Sequence, residues 1–189
     1  MPHANQGSRG ALYSLSALRA EPAVIICDVN AVPTVRPTAR VLLVDTEHRV
    51  LLFEGIDETD PSRAFWFPPG GGIEPGEGAR EAAIREVREE TGLADLHLGP
   101  HIWNRSHVVT LAGVLTEIRE TWFLAQVPVF EIDTSEFTEL ESRTIRDHRW
   151  WTQVELATTR DVLVPQDLAP RLQRLIDLGP PSTPLTIGI

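Results

Sequence analysis

Cysteine is almost absent: the chain of 189 residues has one, Cys27. An intrachain disulfide is therefore excluded, and so is a multi-cysteine zinc site. Cys27 itself is expected to be an ordinary buried thiol. Long apolar runs are missing too. No stretch approaches the ~18 residues needed to cross a bilayer, and "AVIIC" is too short for a signal-peptide core. The opening "MPHANQGSRG" is polar. A soluble, cytoplasmic protein with no membrane partner is expected. Of the six histidines, none stands in an H-x₃-H or H-E-x-x-H pattern, so histidine-held metal is not expected. Positive charge is also scarce, with 17 basic against 27 acidic residues and a net charge of −10. Such a surface repels the phosphates of DNA, RNA and anionic membranes unless cations intervene. No DNA partner is expected, and a homodimer is allowed.

What is present suits one globular domain with some extra chain. Residues 1–36 read as an N-terminal extension, in which "LYSLSALRA" suggests a short helix and "AVIICDV" a short strand. "AVPTVRPT" reads as a linker because of its prolines. The compact domain is expected over 37–178, followed by a proline-rich, extended tail at 179–189. "ARVLLVD" and "RVLLFE" predict a β-hairpin over 39–45 and 49–54. A turn-rich loop, "GIDETDPSRA", separates it from the glycine-rich "FWFPPGGGIEPGEG". "AREAAIREVREET" predicts the clearest helix, stopped by Gly92. Three strand-like runs follow, "LHLGPHIWNRSHVVTL", "GVLTEIRE" and "TWFLAQVPVF", and then an acidic loop, "EIDTSEFTELESRTI". Thr152 and Glu155 have capping-box spacing, and "PQDLAPRLQRLIDLG" predicts a last helix ending at Gly179. Strands mixed with two or three helices imply an α/β sandwich with a mixed sheet.

The helix carries an anomaly. Glu86, Glu89 and Glu90 fall within a roughly 100° arc at its C-terminal end. Carboxylates there oppose the helix dipole and repel one another, at about 0.3–1 kcal/mol per term. On the same wheel Ala79, Ala83, Ile84 and Val87 form the apolar arc, with Arg80 near it. The acids therefore sit at the edge of the buried face. No lysine in the helix offsets them. A hard divalent cation such as Mg²⁺ or Mn²⁺ would complete such a cluster. Without one, at least one carboxyl should titrate above its ordinary value. The glycines just upstream let backbone approach a ligand, which suits metal-assisted phosphoryl chemistry.

Gly71, five residues, Glu77, seven residues, then Arg85-Glu86-Val87-Arg88-Glu89-Glu90-Thr91-Gly92-Leu93 resembles the Nudix box with every fixed position filled. A chance match in a given window has a probability on the order of one in 10⁸. The box covers residues 71–93, and a weaker resemblance spans roughly 37–178, including "WFPPGG" and "RWWTQVEL". The resemblance implies a Nudix-type α/β/α sandwich with a mixed β-sheet. It also implies metal-dependent hydrolysis of a pyrophosphate bond in a nucleoside diphosphate linked to another moiety. By the same resemblance, Glu86, Glu89 and Glu90 are metal ligands or water activators, the last two foremost. The Gly70 carbonyl is a further ligand, and Arg85 orients the carboxylates by pairing with Glu77. The general base varies in the family; Glu141 ranks first here, before Glu139 and Glu120. Each single acid of that trio is at least as often a solvated surface residue.

Other residues have plainer readings. The five tryptophans are expected in the core, although an exposed one could stack on a base. Arg105 and Arg119 could grip phosphates, but surface ion pairs are the commoner outcome. Two functional alternatives remain. A non-catalytic nucleotide-binding regulatory Nudix domain would usually have lost box carboxylates. Isoprenoid diphosphate isomerase chemistry would need an active-site cysteine, and Cys27 lies in the extension. The box does not discriminate among small-molecule nucleotide derivatives.

Overall fold

The computed structural model describes residues 32–57, 60–111 and 113–188. The helix and strand expected before residue 32, with Cys27, lie outside the described residues. β1 (Thr34–Asp45) runs parallel to β5 (Val114–Val127) along its whole length, from Thr34↔Thr116 to Asp45↔Val127. β5 continues antiparallel to β4 (His101–Leu111), whose other edge takes β7 (Leu185–Ile187) in parallel. On the far side stand β2 (Val50–Asp57) and β3 (Asp60–Phe67), giving the order β3-β2-β1-β5-β4-β7. β6 (Ile145–Trp151) pairs with β2. The sheet is therefore mixed.

Alternation along β1 sends Ala39, Val41 and Leu43 to one face and Leu42 and Val44 to the other. The first face packs under α1 (Ala79–Thr91) through Ala82, Ala83 and Val87. The second packs under α3 (Gln153–Thr158) and α4 (Leu168–Leu178) through Leu156, Leu168 and Leu172. Two helical layers on a mixed sheet make the expected α/β/α sandwich. Trp66, Trp103, Trp122 and Trp151 are buried and Trp150 packs on the first cluster, so all five tryptophans are core residues.

Several local expectations change. The run "GVLTEIRE" and the run after it are one strand, β5. β1 begins inside the expected linker, and Pro37 lies within it opposite Arg119. The Pro37 carbonyl accepts from the Ile73 amide at 3.1 Å, on the side away from β5. Its missing N–H therefore costs no bond to β5. The expected loop at 55–64 is mostly strand, because β2 and β3 run together from Phe53↔Phe67 to Asp57↔Asp60. β3 is an edge strand, where Pro61 is tolerated. The β1–β2 hairpin pairs at Val44↔Val50, and β2 then turns to β6. On α1, Ile84 is 38% exposed and Ala82 is buried instead, so the buried face is rotated toward the carboxylates. Arg80 lies over the Phe123 ring and donates to the Leu98 and Gly99 carbonyls. Both expected helix stops hold, at Gly92 (φ 73°) and Gly179.

Candidate metal centre

Where β2 leaves β1, the glycine-rich loop takes its place. The amides of Ala39 and Val41 donate to the carbonyls of Gly71 and Pro69, both at 2.9 Å. Gly72 bridges Thr38. This lays residues 69–73 along β1 and directly under α1. There is no room for side chains: a Cβ on Gly70 (φ 128°) would lie 2.2 Å from the Ala39 carbonyl oxygen. One on Gly71 would lie 2.6 Å from the Glu86 carboxyl. The glycines therefore let the loop fit between strand and helix.

Three buried carboxylates, Glu86, Glu90 and Glu141, each bring an oxygen within 4.8 Å of the others. Glu86 and Glu90 stand one turn apart on α1. Glu141 comes from α2 (Glu139–Thr144), which the sequence had suggested to be loop. Glu90 is 2% exposed, and its Oε2 accepts from the Gly70 amide at 2.7 Å. Burial pushes the Glu90 carboxyl well above its usual range and the Glu86 charge adds to this, while Arg40 and the Gly70 amide pull the other way. Glu86 is also raised, chiefly by burial, against the opposing pull of Arg85. Three carboxylates packed together with oxygen donors only, two of them hard to ionise alone, suit a hard divalent cation. The residues present therefore fit a metal of that kind.

Around them, Arg85 ties the box together. Its Nε and Nη2 donate to the two oxygens of Glu77, each at 2.9 Å. Nη1 reaches Glu86 at 2.8 Å and Glu89 at 3.1 Å, and Nη2 also donates to the Gly72 carbonyl. These bonds hold the Glu77 carboxyl below its usual range. Glu89 thus sits on Arg85, outside the group of three. The Gly70 carbonyl accepts from Arg40, which also donates to Pro68 and faces Glu120. Glu120 accepts at Oε2 from Arg105 at 3.0 Å and from the Trp122 indole N–H at 3.0 Å. Arg105 is buried in that pair rather than on the surface, whereas Arg119 makes the expected surface pair with Glu117. Nearby His107 is pulled down to about 4 by burial, with Arg105 adding to the shift. Glu139 is exposed.

A family model of the NUDIX domain matches residues 34–175. The chain belongs to the Nudix family. Among curated proteins of this family, the RNA pyrophosphohydrolase of Sphingopyxis alaskensis is 29% identical over 148 residues, covering 69% of this chain and 84% of that protein. Among solved structures, the MutT protein from Methanosarcina mazei Go1 has a TM-score of 0.61 at 18% identity, covering 77% of this chain and 97% of that one. That likeness is one of fold. The E. coli dihydroneopterin triphosphate pyrophosphohydrolase has a TM-score of 0.55 at 25% identity, covering 75% and 95%. This Nudix chain is accordingly a hydrolase that cleaves a pyrophosphate bond of a nucleotide derivative with the help of a metal.

Proposed function

We propose that Glu86, Glu90 and Glu141 form the anionic floor at which Mg²⁺ or Mn²⁺ and the diphosphate of a small nucleotide derivative meet. The observation that carries this is their convergence: three buried carboxylates from two elements lie within 4.8 Å of one another. When bound, the ion neutralises phosphate charge and lowers the pKa of a water. Glu86 and Glu90 are the ligands. The Gly70 carbonyl is a further oxygen donor, since its bond to Arg40 uses one of two lone pairs. Arg85, braced by Glu77, holds Glu86 in place and keeps Glu89 at the rim. Glu141 lends its negative charge to the ion's site from beside the two ligands and accepts the proton of the attacking water. Of its two rivals, Glu120 is neutralised by Arg105 and Glu139 faces solvent.

A curated relative is named for RNA and a similar solved structure for dihydroneopterin triphosphate, so both belong in the test beside small nucleotide derivatives. A net charge of −10 favours the small molecules over long RNA and DNA. A single cysteine fits a reducing compartment and supports a cytoplasmic enzyme. The experiment is phosphate release across this panel with Mg²⁺ and with Mn²⁺, wild type against Glu90→Gln. Wild type should turn over at least one compound, and the variant should lose about 10²–10³-fold in kcat. Equal inactivity of both proteins on every compound would overturn the reading.

A further inference from the structure

Glu141 is the one carboxylate of the three that lies outside the box, and its mount is slight. A six-residue helix has little stability of its own. Glu86 and Glu90, when ionised, also push Glu141 away. What opposes them is the residue one turn earlier. The Thr138 amide and the Thr138 hydroxyl both donate to Glu141 Oε2, each at 2.7 Å. The Glu141 amide returns a bond to the Thr138 hydroxyl at 3.3 Å, closing a capping box. Thr138 is itself anchored, because the preceding Phe137 packs edge-on to buried Phe53, with ring centroids 5.8 Å apart.

We propose that Thr138 is a positioning residue of the metal centre: its two donors hold Glu141 beside Glu86 and Glu90. This rests on the reading of Glu141 given above. The fold supplies its own control. Thr152 and Glu155 make the same box at the start of α3, with donor distances of 2.8 and 2.7 Å, and there the carboxylate is 40% exposed and pairs with Arg149.

The test is Mn²⁺ binding by the full chain, followed by electron paramagnetic resonance and needing no substrate. Thr138→Val should weaken Mn²⁺ binding by about 3- to 10-fold, the range one lost cap bond implies. Thr138→Ser should restore it, and Thr152→Val should leave it at the wild-type value. In a Glu141→Gln background, Thr138→Val should add no further loss, since its effect runs through that carboxylate. A wild-type dissociation constant in Thr138→Val, with Glu141→Gln impaired, overturns this inference alone. A further loss in the double variant also overturns it. Wild-type binding in Glu141→Gln overturns the placement of Glu141 in the centre, and this inference with it.

Discussion

α2 and α3 begin with the same three-bond device, and the two copies do different things. At α3 the glutamate closes a helix end and reaches to Arg149 in solvent. At α2 the glutamate closes a helix end and also turns into a buried group of acids. The hydrogen bonds are alike to about 0.1 Å in donor distance, and the surroundings differ. A local motif therefore fixes a side-chain rotamer, while tertiary placement decides what the rotamer is for.

The sharpest way to break that contrast is to remove the charge and keep the cap. Glutamine can serve in a capping box, so Glu141→Gln and Glu155→Gln should both leave their helices formed. Glu141→Gln should weaken Mn²⁺ binding by about 10–100-fold, whereas Glu155→Gln should leave it unchanged. Equal binding by the two variants in a calorimetric titration would erase the distinction.

An effect of comparable size should appear in thermal stability. Metal in about 100-fold excess over its dissociation constant should stabilise the wild type by about 2.7 kcal/mol, with a higher Tm. The pH dependence has a definite sign. The folded-state pKa values of Glu86 and Glu90 are raised. Their contribution to metal-free stability is therefore fully present below the unfolded values and is lost as pH rises through the folded ones. The metal needs them ionised, so the Tm gained on adding Mg²⁺ should grow from mildly acid to neutral pH. His107 has the opposite slope, because its folded value near 4 lies below the unfolded 6.5 and stability is lost as pH falls between them. That slope is common to metal-free and metal-bound protein and cancels in the difference. A metal-induced shift that is flat across this pH range would contradict the assignment of the two carboxyls.

The smallest expected difference is between the caps themselves. Thr138→Val and Thr152→Val should each cost about 1 kcal/mol, read as similar falls in the urea midpoint. Similar stability losses with unlike metal binding would sharpen the contrast most.

How much of this was readable in advance divides along the same line. The box was legible because its spacing is set by one helix and the loop leading into it. Gly71, Glu77 and Arg85 stand at fixed offsets that short-range geometry explains. The α3 cap was legible for the same reason. The α2 cap has identical spacing, Thr138 to Glu141, and that signal was present but hidden in a stretch whose acids and turn residues suggested a loop. No period in the sequence could bring Glu141 to Glu86 and Glu90. That meeting depends on Phe137 packing on Phe53 and on β6 pairing with β2. Pro37 misled because proline's penalty applies only where an N–H is needed, and whether one is needed depends on which edge faces a neighbour.

The loop that replaces β2 beside β1 has a consequence for how the molecule comes apart. Its carbonyls are bonded by the amides of Ala39 and Val41, two residues with no exposed surface. Those amides should exchange with solvent deuterium only through large-scale opening, on the slow timescale of the core. Surface loops are usually among the first segments to open. This one is woven into the central strand, and should therefore be among the last.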